Sequence, residues 1–252
     1  MFPQTSQNVE YSHENCDKTP MAKHPQKPAE TSLDLSQKAY LGIRQMLFHN
    51  EIVAGQKVPF KDLADQMDMS VTPVIQALKY LEFQGLVRRE PNKGYFIEAL
   101  KLEEVDELYK FRKMLELILL EETIATLDQA GIAELQTAHD AYLQSLSSNL
   151  THQKLIADMN FHLTIARLAK QPIRLNALKN VFDILHLKYK TSLGYVTREQ
   201  SNQEDHGLIL DSIVHRDEEL AKSLLSDHIE NSKKHAYLNL QQMINEKAAL
   251  KF

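Results

Sequence analysis

"SVTPVIQALKYLEFQGLV", Ser70 to Val87, reads as a helix that buries one face and presents another. Ser70 is the expected N-cap, Pro73 falls in the first turn where a missing N–H is tolerated, and Gly85 suits the position just past the last turn. With Val74 set toward a core and about 100° per residue, Ala77, Leu78 and Leu81 share its face. Thr72, Gln76 and Lys79 then point outward, and Val71 and Ile75 lie on the flank between the two faces.

The neighbouring sequence supplies the core that this helix needs. Upstream, Tyr40, Ile43 and Leu47 line one face of a helix that ends before Gly55, and Phe60, Leu63, Ala64 and Met67 make a shorter one, joined to Ser70 by the turn "DMS". Downstream, "LVRRE", "PNKG" and "YFIEA" read as strand, turn and strand. Three helices and a hairpin in this order make a winged helix-turn-helix, whose second helix of the turn enters the DNA major groove.

The outward groups suit that task. Gln76 can pair with adenine, Thr72 with several bases, and Lys79 with guanine or phosphate, while Ile75 is placed to touch a thymine methyl. Arginine is absent from the stretch, so A·T is expected over G·C at these positions. Lys61 at the start of the second helix, Arg88, Arg89 and Lys93 on the hairpin, and Ser70 are expected to meet the backbone, with Gly94 allowing close approach to the minor groove. Residues 35–98 hold eight Lys and Arg against seven Asp and Glu. Such a weak basic balance makes double-stranded DNA binding depend on pairing two heads, hence on a homodimer.

Past residue 100 every pattern is helical, with expected spans of 102–127, 131–147, 152–169, 173–194, 202–215 and 218–246. Ser201 and Glu204 form a capping box, Asp217 is a further cap, and short connections imply an antiparallel bundle. The expected fold is therefore mostly α: a winged helix-turn-helix over 35–100, then an all-helical domain over 101–248. Residues 1–34 are polar and proline-dotted and read as a disordered tail, in which Met21 offers an alternative start. Cys16 is the single cysteine of the 252 residues, and no apolar run approaches the length of a membrane span. With no secretory pattern at the N-terminus, the expected location is cytoplasmic. A net charge of −5 argues against indiscriminate nucleic-acid binding and moves attention to local surfaces.

Inside the bundle, Asp158 and His162 stand four residues apart on one helix face. His206 belongs to the stripe of Ile209, Leu210 and Ile213, and His228 to that of Ala221, Leu224 and Leu225. Any one of these histidines alone reads as a hydrogen-bonded core residue; three with a carboxylate also suit Zn, Ni, Mn or Fe. Arg112 lies on the inward face with Val105, Leu108 and Leu119. It either clamps a carboxylate with two bonds or pairs with Glu116 on its own helix.

Six fragments in order carry a family resemblance: "DLADQMDMSVTPVIQALKYLEFQGLV" (62–87), "NKGYFI" (92–97), "FRKMLE" (111–116), "DMNFH" (158–162), "EDHGLILDSI" (204–213) and "DHI" (227–229). Over roughly residues 35 to 240 the chain resembles the GntR family of bacterial transcription regulators, in its FadR-like branch with an all-helical FCD-type effector domain. The resemblance implies a divalent metal held by Asp158, His162, His206 and His228. It also implies a small organic acid beside the metal, for which Arg112 is the expected partner. His139, His152, His186, His215 and His235 match no ligand position. The chain departs from the family pattern at Val71 and Ile75, where arginine is usual, at Gln76, where an acid is usual, and at Gln171, where asparagine is usual.

Two other functions stay open on the sequence alone. A hydrolytic metalloenzyme could use the same Asp/His set, although no HExxH arrangement appears and no enzyme is expected. A protein-interaction module that has lost specific DNA binding would leave Val71 and Ile75 as core residues.

Overall fold

Apolar stripes and the punctuation around them set the helices. α1 (Leu35–Phe48), α2 (Phe60–Gln66) and α3 (Val71–Phe83) precede an antiparallel hairpin of β1 (Val87–Glu90) and β2 (Gly94–Ile97), in which Val87 faces Ile97 and Glu90 faces Gly94. Then come α4 (Leu102–Thr126), α5 (Gln129–Leu146), α6 (Thr151–Leu168), α7 (Pro172–Ser192), α8 (Asn202–Val214) and α9 (Glu218–Ala249). The computed structural model describes residues 34–49, 51–148, 151–192 and 202–249. The expected disordered tail with Met21 and Cys16, and Ser201 of the expected capping box, lie outside them.

α3 ends as its glycine requires. Gly85 has φ +74°, and the N–H groups of Gly85 and Leu86 donate to the carbonyls of Glu82 and Leu81 at 2.9 Å each, closing a Schellman motif. Its start departs from expectation: Ser70 occupies the N-cap position but its side chain makes no capping bond. The reason is Pro73, which stands third in the helix, where a cap oxygen would seek an N–H that proline lacks.

Ala39, Ile43 and Leu47 of α1, Leu63 of α2, Val74, Leu78 and Leu81 of α3, and Val87, Tyr95 and Ile97 of the hairpin form one buried cluster. One pairing was not legible in the sequence. The loop before α2 runs along the free edge of β2: Val58 N–H donates to the Tyr95 carbonyl at 2.8 Å and Ile97 N–H to the Gln56 carbonyl at 3.0 Å. The edge strand of the wing is thereby covered.

α4 is the central helix of the bundle, packing on α6, α7 and α9, while α5 packs on α6 and α8, and α8 on α9. The expected Asp217 cap forms, its Oδ1 accepting from Leu220 N–H at 3.1 Å. Head and bundle share a seam on α7, where Leu187 is buried in the head cluster and Ile184 packs against it.

Candidate functional site

Three helices bring the four expected ligands together. Asp158 and His162 come from α6, His206 from α8 and His228 from α9, and one ligand atom from each lies within 4.8 Å of the others. The Nε2 atoms of His162 and His206 are 3.3 Å apart, and Asp158 Oδ1 is 3.3 Å from His206 Nε2 and 3.9 Å from His162 Nε2. All three histidines are buried.

The surroundings fix how each ring is presented. His162 Nδ1 lies 2.7 Å from Glu116 Oε2, which turns its Nε2 toward the cluster. His228 Nδ1 lies 3.4 Å from Asp205 Oδ2, and its Nε2 is buried with no hydrogen-bond partner among the described residues, as is His206 Nδ1. A buried nitrogen left unpaired costs about 1–3 kcal/mol. A cation at the centre would use the His228 Nε2 lone pair, so the residues present fit a metal.

The electrostatics of the cluster follow first from its burial. Burial pushes the His206 and His228 imidazoles below their ordinary range, which favours the uncharged ring. Burial opposes charge on Asp158 and Glu116, but the Arg112 guanidinium and the neighbouring imidazoles outweigh it. Arg112 and His162 hold Glu116 at about 2, and Asp158 is likewise lowered by His162, His206 and Arg112.

Arg112 makes the pair with Glu116 that one of its two sequence readings expected. It is buried, its Nε donates to Glu116 Oε1 at 2.5 Å, and its guanidinium lies 4.6 Å from the centre of the Phe182 ring. Its Nη2 is buried without a partner among the described residues. Arg112, Glu116 and His162 therefore form one chain of contacts that retains an unused donor.

Three neighbours were underrated in the sequence. Glu116 is shared by Arg112 and His162, and its i, i+4 spacing from Arg112 was the only available signal. Tyr142 of α5 packs edge-on against His206 at 4.2 Å between ring centres. Its phenol is pushed up by burial and by Asp158 and Asp205. His186, which matches no ligand position of the family, lies on α7 in ring contact with Phe182 and is brought down to about 4, by burial first. Gln171 is half-buried between α6 and α7.

On the head, α3 presents Thr72, Gln76 and Lys79 exposed, with Val71 and Ile75 half-buried. Val71 packs against the head cluster, whereas Ile75 is absent from it. Gln76 Oε1 accepts from Ser36 Oγ of α1 at 2.5 Å, a contact that base pairing would have to share or replace. Lys61 and Arg89 are exposed without a partner among the described residues. Arg88 is already engaged: it pairs with Glu90 and, at 2.9 Å, with Glu98, and lies over Phe96. Lys93 reaches Glu90 at 3.1 Å. α2 has only seven residues and carries Asp62 in its first turn, which weakens the expected helix-terminus contribution beside Lys61. Gly94, with φ +109°, is required by the backbone of the wing turn and is half-buried near Lys57 and Phe60.

A wing beside an exposed recognition helix, joined to an all-helical domain with a buried polar centre, defines a DNA-binding regulator with a sensory domain. Comparisons with known proteins give the same class. The model "Bacterial regulatory proteins, gntR family" matches residues 35–97, and that of the FCD domain matches residues 107–231. An uncharacterised HTH-type transcriptional regulator of the TAR-I ttuE–ttuC' intergenic region of Agrobacterium vitis is 33% identical, over 53% of this chain and 80% of its own length. The HTH-type regulator YdhC of Bacillus subtilis is 22% identical over 78% of this chain and 88% of its length. Among solved structures, E. coli McbR/YncC shares the fold with a TM-score of 0.73 at 20% identity, covering 82% of this chain and 99% of that one. This chain belongs to the GntR family and is a transcriptional regulator with a GntR DNA-binding domain and an FCD effector domain. Among the described residues no helix is long and apolar enough to cross a membrane.

Proposed function

We propose that this regulator binds operator DNA as a homodimer through residues 35–100, and that residues 101–248 tune the binding with a divalent metal and a small organic acid. One observation carries the reading: three buried imidazoles and a carboxylate converge from α6, α8 and α9, with His228 Nε2 unpaired, next to an arginine with an unused donor. Asp158, His162, His206 and His228 are the ligands, and Glu116 orients His162. A bound metal supplies positive charge and open positions that favour a carboxylate. Arg112 contributes the second cationic contact through its free Nη2, and burial excludes competing water. No catalytic residue is assigned, and metal-dependent turnover is not expected.

In the head, Thr72, Gln76, Lys79 and Ile75 read bases, while Lys61, Ser70, Arg88, Arg89, Lys93 and Gly94 position the backbone. The test is metal analysis and mass spectrometry of the purified protein, followed by operator titrations with and without chelator. Stoichiometric metal, a co-purifying carboxylate and a chelator-dependent operator affinity are expected. A protein that stays metal-free after incubation with each of Zn, Ni, Mn and Fe would overturn the metal reading.

A further inference from the structure

α7 has two working faces on neighbouring residues. Phe182 is wholly buried in the bundle, with the Arg112 guanidinium over its ring and the His162 ring at 6.1 Å. Asp183, the next residue, faces the head. Its carboxylate takes both terminal nitrogens of Arg44 on α1, in the fork geometry that a guanidinium and a carboxylate favour.

That pair is part of a closed circuit. Arg44 Nη1 also donates to Tyr40 Oη at 2.7 Å, and Tyr40 Oη donates to Gln84 Oε1 at 3.0 Å. Gln84 Nε2 donates to Asn180 Oδ1 at 2.9 Å, which returns the circuit to α7 one turn before Asp183. Gln84 is the C-cap residue of α3, so the circuit ends on the recognition helix itself. Tyr80 of α3 adds an edge-on contact with Tyr40 at 5.1 Å, and Leu187 anchors the same seam inside the head core.

We propose that α7 couples the metal and effector centre to the recognition helix, with Asp183 and Asn180 as the residues that transmit its position through Arg44, Tyr40 and Gln84. The inference rests on the metal reading given above and adds the route. A ligand that draws Arg112 toward itself changes the contact on Phe182, and any shift or rotation of α7 carries Asp183 and Asn180 with it. Because both ends of the circuit sit on one helical turn, the recognition helix must follow α7 or lose its hydrogen bonds. Coupling then exists as a free-energy difference between clasped and unclasped heads, biased from the bundle.

Hydrogen exchange on the chelator-treated full chain, before and after Zn2+ addition, tests the route. In the native chain Zn2+ slows exchange in α6, α8 and α9 and also in α1 and α3 of the head. In Asn180→Ala/Asp183→Ala the bundle response is retained and the head response is lost, with metal affinity unchanged. The swapped pair Arg44→Asp/Asp183→Arg regains part of the head response, which a general loss of stability would not produce. A head response that persists undiminished in Asn180→Ala/Asp183→Ala overturns the route, as does a native chain whose bundle responds while its head does not. Absence of any bundle response overturns the metal reading and this inference with it.

Discussion

Thr72, Gln76 and Lys79 stand in solvent on α3, whereas His162, His206 and His228 are enclosed between α6, α8 and α9. Thr72 and Lys79 make no side-chain bond to the fold among the described residues and Gln76 only the one from Ser36, so replacing them costs the head little and their identity reports what the surface meets. In the bundle the same freedom does not exist, because every buried polar atom must find a partner or be paid for in stability. A histidine cluster in which His228 Nε2 is buried and unpaired is therefore informative about a ligand from physical accounting alone. An exposed glutamine is informative only through the chemistry of a partner that has to be supplied separately.

The sharpest way to break this contrast is to disturb the buried chain. Arg112→Ala leaves Glu116 without its cation in an interior that opposes charge, and removing one partner of a buried pair costs about 3–5 kcal/mol. Thermal or urea unfolding measures the loss. A variant within about 1 kcal/mol of the native chain would mean that the interior is wetter than its burial implies.

His206→Ala/His228→Ala addresses the same interior from the metal side. A metal at 100 to 1,000 times its dissociation constant stabilises the native state by about 3–4 kcal/mol, and the double variant should lose that increment together with its metal content. In the presence of chelator the two proteins should melt closer together. Stoichiometric metal retained by the double variant would show that the ligands lie elsewhere.

How much of this was open to sequence reasoning follows the same division. The stripes of α1, α3 and α4 through α9, the Gly85 stop and the Asp217 cap are local and period-bound, and they stood within a few residues of their final places. The convergence of Asp158, His162, His206 and His228 was legible because the family motifs carried them, not because spacing alone demanded a metal. Glu116 as a bridge, Tyr142 against His206, His186 near the centre and the Arg44–Asp183 clasp depend on contacts between helices far apart in the chain, which no local period encodes. Ser70 failed as a side-chain cap for a local reason that was available, the proline three residues on.

Exposed positions give smaller and more selective effects. Thr72→Ala or Gln76→Ala should weaken cognate operator binding by about 1–3 kcal/mol and leave random-sequence binding nearly unchanged, as measured by competition titration. Gln76 carries an added signature. Ser36→Ala removes its intramolecular partner, and should leave cognate affinity equal or improved rather than reduced.

Ile75→Arg asks whether the flank of α3 faces DNA. Ile75 is half-buried yet outside the head cluster, so an arginine there can extend into the groove without entering the core. Operator selection should shift toward G·C at one position per half-site, with discrimination of roughly 1–3 kcal/mol. Unfolding of the head, or a folded head with unchanged preference, would place this residue on the core side.

The smallest effects belong to the phosphate contacts, and they separate two kinds of cation. Lys61 is exposed without an acidic partner among the described residues, whereas Lys93 shares Glu90 at 3.1 Å with Arg88 as that carboxylate's other partner. Each phosphate contact releases counterions, so removing one should flatten the plot of log affinity against log salt by about 0.9. Lys61→Ala should show that change in full on cognate and random DNA alike, because backbone contacts carry no sequence information. Lys93→Ala should show less, since part of its charge is already spent on Glu90, and Glu90→Gln/Lys93→Ala should recover affinity by removing the acid left behind. Salt titrations on both DNAs measure all three. Equal slopes for Lys61→Ala and the native chain would mean that α2 stands away from the backbone and that the wing carries the contact alone.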